Sequence, residues 1–280
     1  MMRNLLVLSL MLVPVTASAQ QGSILFDLAV QFDYSLLPEG REALRDQIPP
    51  QTFTSMVLLF DGSESLMKSA PRTEDEAPSE LNARLQGFVT RLKMGSASRS
   101  DHETLVEAYV NYEDGSVADL REFMGRDFLI TGEQPTYAWR LTGEQSEFLG
   151  FTVQRATAVQ DSTNIEAWFT TEIPTSGGPG GYGGLPGMIL AASIGDGQSV
   201  YSATEVDLDV VLEEGAIRPP EAGNEVSRDE YEEIVEEKLE ELRMLNGQEA
   251  RNNAGQDVRR RTDDARRPVS DRPPGGAGRK

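Results

Sequence analysis

The chain contains no cysteine. That excludes disulfides, thiol nucleophiles, iron–sulfur clusters and thiolate zinc sites, and it removes the residue a lipid anchor behind a leader would need. Histidine is nearly absent as well. The single one, His102, lies in Ser100-Asp101-His102-Glu103 at a loop-to-strand edge. Consecutive strand residues point to opposite faces, so these groups cannot all converge. His102 reads as an exposed loop residue, and no catalytic residue, metal ligand or cofactor is assigned. Positive charge is scarce: 26 basic residues face 46 acidic ones, for a net charge of -20. Such a balance argues against binding nucleic acid through phosphate contacts. Long hydrophobic runs are missing too. The one apolar run, Leu5 to Val15, is too short to span a bilayer, and charges interrupt every later apolar segment. No transmembrane segment is expected.

That apolar run follows Arg3 and precedes Ala17-Ser18-Ala19, a small-x-small cleavage site. Residues 1–19 therefore read as a signal peptide, and the chain as exported to the periplasm, the outer-membrane periphery or beyond. At the other end, 246–280 has no apolar periodicity and carries a positive excess, and it reads as a disordered basic tail. Residues 20–245 are long enough for one domain with its own core.

Within that body the pattern is mostly β. Ile24, Phe26, Leu28, Val30, Phe32 and Tyr34 alternate along a first strand, and 52–60 reads as a second. Further strands are expected at 104–112, 116–123, 127–131, 136–142, 147–159, 164–172, 187–194 and 198–212. Turns are expected at Glu113-Asp114-Gly115, Thr131-Gly132, Thr142-Gly143-Glu144 and Gly195-Asp196-Gly197. Short helices are expected at 40–47 and after Ser79. The clearest helix is 227–245, where Ser227 and Glu230 make a capping box and Tyr231, Ile234, Val235, Lys238, Leu239, Leu242 and Leu245 trace a mainly apolar stripe. That stripe packs on the sheet or meets a partner helix. Strands joined by short turns imply one curved antiparallel meander with a few packed helices.

The segment Pro179-Gly180-Gly181-Tyr182-Gly183-Gly184-Leu185-Pro186-Gly187-Met188-Ile189 resembles the signature of the GLPGLI family, with Met188 in place of the usual Leu. Leu59-Phe60-Asp61-Gly62-Ser63-Glu64-Ser65-Leu66, Phe123-Met124-Gly125-Arg126-Asp127-Phe128-Leu129-Ile130, Tyr137-Ala138-Trp139-Arg140-Leu141, Phe148-Leu149-Gly150-Phe151-Thr152-Val153-Gln154-Arg155-Ala156-Thr157 (with Val153 where the family often has Cys) and Trp168-Phe169-Thr170-Thr171-Glu172-Ile173-Pro174 resemble other family segments in order. The resemblance implies a mostly β secreted or periplasmic protein from Bacteroidetes-like bacteria, and it implies no catalytic residues. More weakly, the family is similar to the bowl-shaped N-terminal domain of some secreted peptide N-glycanases.

The glycine-rich strap at 177–187 is longer than a hairpin needs. Its glycines either bring backbone N–H groups to a ligand or allow a close chain crossing. Tyr182 is its only large side chain. The candidate ligand-binding set is Tyr182, Trp139, Trp168, Gly184, Leu185, Pro186 and Gly187, with a ligand stacking on Tyr182 and Trp139 or Trp168 beneath. Core packing is the alternative role for these aromatics. Acidic pairs at Glu74-Asp75-Glu76, Glu113-Asp114 and Glu213-Glu214 read as solvated surface, or as carboxylates for a hydrolase if they share a cleft. The leading expectation is a binding or accessory module whose partner is an envelope component, a glycan or a peptide. A carboxylate hydrolase is the alternative.

Overall fold

The computed structural model describes residues 21–31, 50–70 and 103–245. The segment 1–19 expected as a signal peptide, the helices expected at 40–47 and after Ser79, the Glu74-Asp75-Glu76 cluster, His102 and the tail at 246–280 lie outside the described residues. The strands are β1 (Gly22–Gln31), β2 (Gln51–Phe60), β3 (Glu64–Ser69), β4 (Glu103–Asn111), β5 (Ser116–Phe123), β6 (Arg126–Glu133), β7 (Arg140–Phe148), β8 (Phe151–Gln160), β9 (Thr163–Thr170), β10 (Met188–Ile194), β11 (Ser199–Asp207) and β12 (Asn224–Ser227). A helix, α1, occupies 228–245.

Among the described residues, the twelve strands form one sheet, in the order β12-β6-β5-β4-β3-β2-β1-β11-β10-β9-β8-β7. The protein is thus mainly β, with antiparallel neighbours everywhere except the parallel β12·β6 pair. The chain starts at the centre of the sheet and walks outward through β6. It then jumps to the far edge and walks back from β7 to β11, which pairs with β1. A single meander is therefore replaced by two, meeting at β1 and β11.

The jump sets the shape. If flat, the strands from β6 to β7 would span about 48 Å at the usual strand spacing. The connecting residues 134–139 reach at most about 25 Å when extended. The sheet must therefore curl, so that its two wings approach each other around a concave inner face. Alternation then assigns the side chains. Ile24, Phe26, Met56, Leu58, Met67, Ala108, Ala167 and Phe169 point inward and are buried. Into this concavity folds the strap, bringing Ile173 and Leu185 into the same core.

α1 packs Tyr231, Val235 and Leu239 on Phe123, Phe128 and Ile130 at the β5–β6 wing. Its capping box is present: Ser227 N–H donates to Glu230 Oε2 at 2.8 Å, and Glu230 N–H donates to Ser227 Oγ at 3.2 Å. The stripe meets the sheet down to Leu242, while Leu245 stays exposed. On the outer face, Leu212 and Ile217 cover Leu66, Tyr109 and Ala118 as the chain returns from β11 to β12.

Several expected elements fall differently. The strand placed at 136–142 begins only at Arg140, because 134–139 has no ladder partner and is spent on the crossing. Thr142-Gly143-Glu144 is a bulge inside β7, where Leu141 pairs with Ala156 and Gln145 with Gln154. Thr131-Gly132 stays within β6. The run 147–159 is broken by a two-residue turn at Leu149 and Gly150, both with positive φ (50 and 83°), as a type I′ hairpin requires. The strand expected to 212 stops at Asp207. β3 and β12 carry no clear alternation signal and emerge only from their pairings.

Candidate functional site

The strap's geometry explains its glycines. An added Cβ at Gly187 would stand 2.0 Å from the Thr170 carbonyl oxygen, and one at Gly177 would stand 2.1 Å from the Tyr112 hydroxyl. The crossing is held by Met188 N–H on Ile173 O (3.0 Å) and Ile189 N–H on Gly177 O (2.9 Å). Deeper in, Gly180 N–H donates to Met67 Sδ at 2.9 Å. Leu185 is buried in the core, while Gly184 and Pro186 are exposed. The motif residues thus pack the strap into the bowl, and its single aromatic, Tyr182, is left half-buried at the inner surface.

The 134–139 crossing clamps the strap from the other side. Gln134 Nε2 donates to Gly181 O at 3.1 Å and Trp139 Nε1 to Gly183 O at 2.8 Å. The Tyr137 ring lies 5.5 Å from both Trp139 and Tyr182, tilted by 43° and 39°. Tyr182 therefore has Tyr137 beside it, and Trp139 beyond that. Trp168 is elsewhere. It pairs with Arg155 and Ala191 on the outer face of β9, opposite in parity to the inward-facing Ala167 and Phe169. The structure brings Tyr182 and Trp139 together and separates both from Trp168.

A cavity of about 580 Å³ opens on the inner face beside Tyr137, Tyr182 and Tyr201, with Leu28 and Ile165 on its apolar side. Among the described residues, none of those three tyrosine hydroxyls has a hydrogen-bond partner. Burial raises the pKa of all three; for Tyr137 and Tyr201 the neighbouring Tyr182 adds to the effect. Each phenol is therefore neutral across the physiological range, able both to donate and to accept.

A charge cluster adjoins the tyrosines. Arg121 bonds Glu103 and reaches Asp119 at 3.4 Å, and Arg228, at the start of α1, reaches the same Asp119 oxygen at 3.4 Å. Burial disfavours the Arg121 charge, but Asp119 and Glu103 outweigh it and hold its pKa above the ordinary arginine value. Sequence reasoning did not single out this cluster. A signal was present: Asp119 and Arg121 share the strand face of the apolar Val117 and Phe123.

Of the acidic pairs named from the sequence, the two among the described residues do not share a cleft. Glu113-Asp114 and Glu213-Glu214 are exposed on separate turns. Among the described residues no group of His, Asp or Glu is placed to hold a metal, and no helix is long and apolar enough to cross a membrane.

Fold and cavity together describe an open, strongly curved β-sheet whose inner face is filled by a strap and lined with tyrosines. The family described as a protein of unknown function (Porph_ging) matches residues 153–191, from β8 through the strap into β10. No curated protein matches. Among solved structures, PNGF-II in two crystal forms is similar at 16% and 17% identity, with TM-scores of 0.47 and 0.48 over 78% of this chain. The chain spans 33% of PNGF-II. An uncharacterized conserved protein from Thermus thermophilus is similar at 8% identity and a TM-score of 0.34, over 75% of this chain and 91% of that one.

Proposed function

We propose that the protein is an exported binding module of the cell envelope and that its ligand, a glycan, lies in the inner-face cavity against Tyr137, Tyr182 and Tyr201. One observation carries this reading: Tyr137 and Tyr182 bring partly exposed rings to one cavity, buried Tyr201 borders it, and all three hydroxyls are unspent on the described residues. Sugar rings present apolar C–H faces that stack on aromatics and a perimeter of hydroxyls that exchange hydrogen bonds. Three neutral phenols suit both. Arg121 and Arg228, tied to carboxylates, add fixed polar groups without a net positive field. The signal-peptide pattern at 1–19 and the resemblance of the strap to the GLPGLI signature support export. In this reading Trp139 positions the strap, and Leu185 and Gly187 hold it down.

The test is direct binding. The mature protein is titrated calorimetrically with neutral, amino-bearing and acidic oligosaccharides. At least one should bind, and Tyr137→Ala or Tyr182→Ala should weaken it by about tenfold or more, the loss of one stacking partner and its hydrogen bonds. Binding that survives both substitutions would sink the assignment, as would silence across the panel.

A further inference from the structure

Trp168 takes no part in the inner cavity, and its own surroundings point to a separate site. β7 is the terminal strand of the sheet, and nothing among the described residues pairs with its outer edge. Its first half is interrupted by the bulge between Leu141 and Gln145, a usual device against stray pairing. The second half has no such protection. Gln145, Ser146, Glu147 and Phe148 pair in unbroken register with Gln154, Val153, Thr152 and Phe151.

The hairpin decides which backbone groups face outward. Phe148 and Phe151 close a two-residue turn and so exchange both ladder bonds. By alternation Ser146 and Val153 are the next bonded pair. The N–H and C=O of Gln145 and Glu147 therefore point away from β8. Thr152, opposite Glu147, agrees: its N–H turns to the β9 side and donates to Glu172 Oε1 at 2.7 Å.

Alongside this stretch the outer face has an apolar hollow of about 260 Å³, lined by Ser146, Phe148, Val153, Trp168 and Ala191, with Glu147 at its rim. The pairings put those five side chains on one face of the sheet. Small Ser146 and Ala191 beside large Trp168 and Phe148 leave the space. Trp168 Nε1 already donates to Glu166 Oε1 at 3.1 Å, so its ring offers the hollow only apolar surface.

We propose that an extended segment of a partner polypeptide adds to β7 along 145–148 and seats one large apolar side chain, opposite Ser146, in the hollow against Trp168 and Phe148. Backbone bonding to Gln145 and Glu147 supplies affinity, and the hollow supplies selectivity, as in other strand-addition modes. Charge narrows the partner. Glu147 is exposed at this edge and the chain carries -20 overall, so the segment bears lysine or arginine beside its apolar anchor. This site lies on the face opposite the tyrosine cavity and does not depend on it.

The probe is a fluorescein-labelled heptapeptide of alternating threonines with a central leucine and lysines at both ends, read by anisotropy against the mature protein. It should bind, and replacing its leucine by aspartate or N-methylating its backbone should abolish binding. Glu147→Pro removes an outward N–H and leaves the β7·β8 ladder intact, so it should fold and bind about tenfold or more weakly. Should that variant fail to fold, Ala191→Leu fills the hollow from β10 and should have the same effect. The proposal is overturned by absence of binding at millimolar peptide, by equal binding of the aspartate peptide, or by a folded Glu147→Pro that binds like wild type. A wild-type dimer that Glu147→Pro splits would equally overturn it, since a second copy of the chain would then occupy the edge.

Discussion

Replacing Gly187 by alanine tests whether the strap is a structural crossing. The added methyl would sit 2.0 Å from Thr170 O and 2.7 Å from the carbonyl carbon, and φ at this position is 155°. An ordinary C···O contact is about 3.3 Å, so the overlap exceeds about 1 Å and falls on backbone. Neither partner yields easily. Thr170 is fully buried and pairs with Met188, and Met188 N–H is bonded to Ile173 O. Relief requires lifting the strap and loosening Leu185, Met188 and Ile189 from the core. Local backbone strain costs about 1–3 kcal/mol and partial loss of core packing about 2 more, so the expected penalty is about 3–5 kcal/mol. For a chain of this size that lowers Tm by about 6–20 °C. Gly184→Ala is the control. Its Cβ meets Trp139 Nε1 only at 3.6 Å, leaving just the cost of its positive φ, about 1 kcal/mol. Urea unfolding with tryptophan fluorescence measures both. If Gly187→Ala proves no more costly than Gly184→Ala, the crossing is not as tight as described.

Trp139→Phe deletes the bond to Gly183 O while keeping a ring beside Tyr137, and should cost about 1 kcal/mol in the same assay; no loss would show that the clamp is not held by this bond. Ser227→Ala removes the acceptor of the capping box and should cost about 1 kcal/mol, visible as earlier loss of helical ellipticity on heating, whereas Ser227→Asp should retain most of the stability. Burial pushes the Tyr112 phenol up to about 12, against an ordinary value of about 10. The folded state therefore holds a proton that the unfolded chain has lost. The stabilisation is complete below about pH 10 and drains away as pH rises through about 12, so urea midpoints should fall over that window, and less steeply in Tyr112→Phe.

Much of the architecture was legible because it is local. Alternation in β1, β2, β4, β5 and β10 needs only neighbouring residues, and the Gly195-Asp196-Gly197 turn and the Ser227–Glu230 box announce themselves within four positions. The hairpin built on Leu149-Gly150 was missed because Leu149 is not a usual bearer of positive φ, and only the ladder on either side forces it. β3 was missed because Ser65, Leu66 and Met67 are all buried, so the strand shows no polar face to alternate with.

A mainly β protein, the faces of strands such as β1 and the capped helix were legible in the chain alone, since periodicity and capping act over a few residues, whereas the role of the strap's glycines was left open between ligand approach and chain crossing. Which strands meet was set by long-range packing. The pairing of β1 with β11, the parallel strand β12 and the curl imposed by the short 134–139 crossing join residues far apart in the chain, and no local pattern encodes such closures. For the same reason the candidate site divided. Tyr182 found Tyr137 and Tyr201 across the concave face, Arg121 found Arg228 through Asp119, and Trp168, one residue from the inward-facing Phe169, was carried by the pleat to the opposite side of the sheet.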